Sequence, residues 1–226
     1  MKFLLISVSA FLSVSVFAAE TNSSSEAEAA YTSVITQRAD KIVTILGITE
    51  TNKGARVRDI ITQQYRDLNQ LHAVRDALVK ARKEQAATNQ SAADAAVGEA
   101  RNDLGRVMTE LQALHLKFLA KLSAELSPEQ VVKVKDGLTY GVVPLTYGVY
   151  LKMYPELTDE QKQQILAWLV EAREIAMDGS TSNEKHAVFG KYKGKINNYL
   201  SKAGYDAKKG EQNLRKTNPS PENKTK

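Results

Sequence analysis

Between Asp178 and Asp206 the chain reads DGSTSNEKHAVFGKYKGKINNYLSKAGYD, its densest gathering of glycine, lysine, tyrosine, asparagine and histidine. Side chains of these types carry protons or grip polar ligands. His186 lies in sequence among Glu184, Lys185, Lys191, Lys193 and Lys195. Neighbouring cations favour a neutral imidazole, the form that accepts a proton. If Gly190 and Gly194 bracket a bend, Lys191, Tyr192 and Lys193 between them bring ammonium groups and backbone N–H groups to an anion such as a uronate, sulfate or phosphate. Asn197 and Asn198, with Tyr192, suit sugar hydroxyls and ring faces. The candidate ligand-binding set is therefore His186, Lys191, Tyr192, Lys193 and Asn197, with an oligosaccharide or anionic ligand as partner. Each has a structural alternative: a surface histidine on a capped helix, and a turn that needs glycine for its backbone alone.

Other chemistries have fewer footholds. There is no cysteine, the histidines fall at 72, 115 and 186 with no spacing that shares one helical face, and neither HExxH nor an EF-hand loop occurs. No metal and no cofactor is expected. GxSxG, Ser-x-x-Lys, P-loop and GxGxxG signatures are missing, so no catalytic nucleophile can be named. Glu174 and Asp178 share a helical face one turn apart, as a catalytic pair or as a solvated acidic patch. His72 and His115 fall beside apolar stripes and read as packed, partly buried histidines.

The elements that must hold these residues are helical. Apolar residues recur at steps of three and four from about Ala29 to Leu46, from a Thr49 cap to about Lys83, and from about Val97 to Ala124. The second and third runs match in length and predict a long antiparallel hairpin, its tip within Glu84 to Ala96. Leu126-Ser-Pro-Glu-Gln130 and Leu157-Thr-Asp-Glu-Gln161 are the same helix-start signal written twice, a capping box behind a leucine staple. Thr181 with Glu184 is a third box. Between the first two lies LTYGVVPLTYGVYLKMYP, read as a kinked, largely buried segment supplying Tyr140, Tyr147, Tyr150 and Tyr154, with strand as the alternative. After the Gly190–Gly194 bend a final helix from about Lys195 to Lys202 ends at Gly204. The fold class is all-α: a single helical domain built on the long antiparallel hairpin plus a C-terminal group of shorter helices.

The ends differ from the body. Residues 1–18 combine Lys2, an apolar run and small residues, the pattern of a signal peptide cut after Ala18 or Ala19. Residues 19–28 read as a disordered linker, 29–206 as the helical domain and 207–226 as a disordered basic tail. An exported, periplasmic or secreted protein without a membrane span in its mature form is expected. The formal net charge of +5 sits largely outside the domain, because six Lys or Arg face three acids from Gly204 onward. The body is near neutral, and export removes nucleic acid as a partner.

ITQRADKIVTILGIT, RVRDIITQQYRDLN, FLAKLSAELSPEQVVKVKDGLTYGVV, LTDEQKQQILAWLVEAREIAMD and EKHAVFGKYKGKINNYLSKAGYD together closely resemble a family of exported bacterial helical proteins, domain of unknown function 3826, over roughly Tyr31 to Asp206. That resemblance implies an all-helical domain after a signal peptide, encoded often beside polysaccharide-degrading enzymes, with no catalytic residues to carry over. The two L-[ST]-x-x-Q motifs are also similar to those of periplasmic stress chaperones of the Spy and CpxP kind, although capping accounts for every residue in them. Three readings follow: a protein that binds or assists processing of a carbohydrate; a chaperone-like or adaptor protein with a protein client; and a lyase or hydrolase acting on a polysaccharide fragment, with His186 or Tyr192 carrying the proton.

Overall fold

The computed structural model of the chain describes residues 14–88 and 93–217, and among them the only regular structure is helix. In chain order the helices are α1 (Val14–Thr44), α2 (Thr51–Thr88), α3 (Ala93–Glu125), α4 (Pro128–Leu138), α5 (Val142–Met153), α6 (Asp159–Ala176), α7 (Ser182–Lys202) and α8 (Ala207–Thr217). The all-α class stands as read from periodicity. Residues 1–13, which hold most of the expected signal peptide, and the connection at 89–92 lie outside the described residues.

The α4 and α6 starts follow from local chemistry. Ser127 and Thr158 each accept the third helical N–H, from Gln130 and Gln161, while those glutamines accept the cap N–H in return. Gly47, at φ +65°, ends the first helical region as its position suggests. The segment expected to kink does so at Thr139-Tyr140-Gly141. There the Gly141 N–H reaches back to the Asp136 carbonyl at 2.8 Å, and Tyr140 and Gly141 both take left-handed backbone, φ +59° and +66°. Such a conformation costs a non-glycine residue about 1–2 kcal/mol. Pro144 then falls in the first turn of α5, where its missing N–H has no helical acceptor to lose.

Three expectations meet a different outcome. Helix α1 begins at Val14 and runs through 19–28, where a disordered linker is expected. Helix α7 continues unbroken through Gly190 and Gly194, so no bend forms between them. Phe189, Ile196 and Leu200 lie on one buried stripe of α7, and burying them outweighs the helix cost of two glycines, about 1 kcal/mol each. The first part of the expected disordered tail forms α8, which packs on α5. It docks through residues that leave no apolar period: Gly210 is buried against the Tyr154 ring, and Asn213 Nδ2 donates to the Met153 carbonyl at 3.0 Å.

Two larger cores result. The first gathers Ile42 of α1, Val57 and Ile61 of α2, Phe118 and Leu122 of α3, and Val134 of α4. The second gathers Tyr150 of α5, Ile165 and Leu169 of α6, and Phe189 and Ile196 of α7. Each large side chain withdrawn from water contributes roughly 1.5–3 kcal/mol. Helices α2 and α3 run antiparallel: Arg56 near the start of one grips Glu125 at the end of the other at 2.9 Å, and Leu68 packs with Val107 and Leu111 farther along. Close approach of α1 and α4 depends on Gly137, where a Cβ would lie 2.7 Å from Ile42 Cγ1. Ile42 is buried and its branch atoms cannot swing aside, so Gly137→Ala should cost about 1–3 kcal/mol in urea unfolding despite the better helix propensity of alanine. A neutral or stabilising result would show that α1 and α4 can move apart.

Candidate functional site around Asp178

Helix α6 ends at the boundary of the two cores, with Ala176 buried in the second and Met177 in the first. Asp178 follows immediately. Its backbone carbonyl lies 2.6 Å from His72 Nε2, and its carboxylate Oδ2 lies 2.8 Å from His115 Nδ1. A carbonyl only accepts, so His72 carries its proton on Nε2, and its buried Nδ1 has no partner among the described residues. His115 donates from Nδ1 to the carboxylate, which sets its tautomer and ring plane and leaves Nε2 to accept a proton. Once protonated, Nε2 stands 3.8 Å from Glu174 Oε2.

A second layer of charges holds this arrangement. Glu174 also takes Lys135 at 2.7 Å and Arg173 at 3.3 Å, and the almost fully buried Arg173 reaches Asp136 at 2.8 Å, joining α4 to α6. On the other side Arg75 of α2 pairs with Glu184 of α7 at 2.7 Å. Thr181 caps α7 by accepting the Glu184 N–H, but the Glu184 carboxylate reaches Ser180 and Arg75 instead of the Thr181 N–H. Burial opposes the charge of Glu184, yet the Ser180 N–H, Arg75 and the Ser180 hydroxyl outweigh it and hold its pKa down to about 2.

Together His72, Arg75, His115, Glu174, Asp178 and Glu184 line an open groove of ≈ 620 Å³, with exposed Met108 and Ile175 on its wall. One guanidinium faces three carboxylates here, so with the imidazoles neutral the lining is net negative. Such a set can exchange hydrogen bonds with a neutral, hydroxyl-rich ligand, and the carboxylate-oriented imidazole can take up or release a proton. Among the described residues no three His, Cys, Asp or Glu side chains come together in a metal-binding arrangement.

The five residues singled out on α7 form no single site: the helical pitch sets His186, Lys193 and Asn197 along one face over about three turns, and Lys191 and Tyr192 away from it. His186 is exposed and stacks on Tyr140, ring centroids 5.6 Å apart. Lys191 and Lys193 are exposed, and the helical pitch sets Lys191 roughly 140° around α7 from His186. Tyr192 sits half-buried beside Glu171, under Lys195. Asn197 accepts the Tyr150 hydroxyl at 2.8 Å, a bond that ties α7 to α5. None of the five lines the groove. Of its six ionisable residues, Glu174 and Asp178 are the one-turn pair of the sequence, and His72 and His115 are its packed histidines. Both descriptions hold, and the convergence adds a shared carboxylate.

A hydrogen bond to Asp178 raises the His115 pKa; burial and Lys135 oppose this, and the charges of Asp178 and Glu174 add to it. A raised folded pKa stabilises the fold fully below the ordinary histidine value near 6.5, and this is lost as pH rises through the folded value. Unfolding free energy measured by urea titration should therefore fall from pH 6 to pH 8.5 and flatten in His115→Gln; an unchanged slope would remove His115 as its source. Lys185, pushed down to about 8 chiefly by burial and then by Arg38, works in the opposite direction at higher pH. The unfolded chain binds the extra proton between about 8 and 10.5, so Lys185 should add stability across that window, and Lys185→Met should abolish the rise.

No curated protein matches the chain. A family model described as "Protein of unknown function (DUF3826)" matches residues 32–218, a span that takes in α8, and the chain belongs to that family.

Proposed function

We propose that this is an exported protein that binds, or assists the processing of, a carbohydrate, and that the Asp178 groove is where it does so. The observation that carries the reading is the groove itself: ≈ 620 Å³ of open space in which His115, Arg75, Glu174 and Glu184 are already held in place by partners. Hydroxyl recognition needs donors and acceptors whose geometry is set before the ligand arrives, because ordering them on binding costs affinity. Exposed Met108 and Ile175 offer apolar surface to the C–H faces of a sugar. A net negative lining disfavours a polyanion and leaves a neutral sugar as the better fit there.

One feature favours a second reading, an enzyme acting on a polysaccharide fragment. The His115–Asp178 pair is the kind of carboxylate-oriented imidazole that serves as a general base or acid, and it replaces His186 and Tyr192 as the proton carrier of such a reaction. The chaperone-like or adaptor reading has less support, because Gln130 and Gln161 of the two L-[ST]-x-x-Q motifs are occupied in capping.

Calorimetric titration with a panel of neutral and acidic oligosaccharides tests the reading. Binding should weaken tenfold or more in His115→Ala and Arg75→Ala, with Lys191→Ala as an unaffected control and thermal unfolding confirming that each variant folds. Affinity indifferent to both groove substitutions would refute the site. Release of shortened or unsaturated product that His115→Ala abolishes, with binding retained in His115→Gln, would establish the enzymatic form.

A further inference from the structure

A second groove, of ≈ 390 Å³, opens where α1 faces the break between α4 and α5, and it shares no lining residue with the Asp178 groove. Its lining is Arg38, Lys41, Ile42 and Ile45 of α1, Tyr65 of α2, and Gly137 and Tyr140. Three observations make it more than a gap between helices. Arg38 and Lys41 stand one turn apart on α1, both exposed, and neither has a hydrogen bond or ion pair among the described residues. The nearest acid in sequence, Asp40, faces Arg58 at 4.0 Å instead. The groove thus carries two cations and, among its lining residues, no acid.

The aromatic side of the groove is built as well. Tyr140 is the non-glycine residue with positive φ among the described residues, at a helix end where glycine is the usual occupant. The residue stays 45% exposed, with His186 in a near-parallel stack on one face of its ring, 19° between planes. Structural economy would place glycine there, so the position keeps an open aromatic face at the expense of backbone comfort. Across the groove Tyr65 is half-buried over the Lys185 ammonium, 5.8 Å from its ring centroid, and Ile45 is 54% exposed. Unpaired cations beside an upright aromatic plane and apolar edges match a saccharide ring that bears an acid group.

We propose that this groove binds an anionic saccharide, its carboxylate or sulfate taken by Arg38 and Lys41 and its ring laid on Tyr140. It stands independently of the reading of the Asp178 groove, from which it differs in residues, charge and ligand class. The test is calorimetry on the full chain with a carboxylate-bearing oligogalacturonate, a sulfated oligosaccharide, a neutral oligosaccharide and inorganic phosphate. At least one charged oligosaccharide should bind, and binding should weaken as salt is raised. Arg38→Ala and Lys41→Ala should each lower affinity tenfold or more, and Lys191→Ala should not. Which of the two charged oligosaccharides binds identifies the acid group.

Tyr140→Gly is the decisive variant. It should lower affinity at least tenfold while leaving the melting temperature unchanged or higher, which a purely structural tyrosine would not do, and Tyr140→Phe should retain binding. If the glycine variant loosens the helix break, Tyr140→Asn, which also tolerates positive φ, repeats the comparison. The proposal is overturned if the charged oligosaccharides bind no tighter than the neutral one, if inorganic phosphate binds as tightly as they do, or if Arg38 and Tyr140 substitutions leave affinity unchanged.

Discussion

Both histidines of the long helix pair donate to one residue, Asp178, and this double tie, with the ion pairs Arg173–Asp136, Lys135–Glu174 and Arg75–Glu184 around it, sets the relation of the two cores. Hydrophobic burial is not directional, so apolar contact alone leaves the position of the α6 end beside α2 and α3 loosely set. A backbone carbonyl and a carboxylate gripped from two different helices remove that freedom. They also place the carboxylate where it orients an imidazole, so the contact that fixes the fold is the contact that makes the groove chemically capable. One more feature belongs to the seam: among the described residues, Asp178 Oδ1 and His72 Nδ1 are buried without a partner. Both can accept, so the site keeps unused capacity for a donor.

The other buried charges follow a common rule. Arg173 is withdrawn from water but meets Asp136 and Glu174, and Lys185 is withdrawn but donates to the Leu138 carbonyl at 2.9 Å, at the end of α4 where helical carbonyls lack partners. In each case a cation on one of the later helices meets an acceptor on α4, the Leu138 carbonyl for Lys185 and the Asp136 carboxylate for Arg173. Helix α4 is thus apolar toward the first core and polar toward α6 and α7. Arg38 and Lys41 depart from the rule, since they lie at the surface of the same region with no counterion among the described residues.

Local chemistry that closed within a few residues was legible in most places, the Thr181–Glu184 pair excepted, where Arg75 from another helix draws the carboxylate away. The capping boxes at Ser127 and Thr158, the Gly47 stop and the break before Pro144 each concern groups three to five positions apart, so the chain records them directly. Glycines were a poorer guide. Gly190 and Gly194 looked like a bend because glycine favours turns, yet tertiary burial of Phe189 and Ile196 kept α7 straight; Gly210 and Gly137 instead admit a ring or a branch from a neighbouring helix. A glycine's sequence position does not distinguish these uses. Helix α8 was missed because it docks by one close approach and one amide bond rather than by an apolar stripe.

By itself the sequence determined the all-α class, the main helix starts and the near-neutral body, because period, caps and composition are properties of neighbouring residues. It also marked His72 and His115 as half-hidden beside apolar stripes. What only the tertiary structure decided is the company they keep: His72 and Asp178 are 106 residues apart, His115 and Asp178 are 63 apart, and no local pattern states which helix end lies against which face. Periodicity says that a face is buried but not what covers it. The polar residues clustered in sequence on α7 were spread around a helix, and the residues that gather in space came from four different helices and the junction between two of them. A functional site of this kind is a property of packing, and packing is where the sequence is silent.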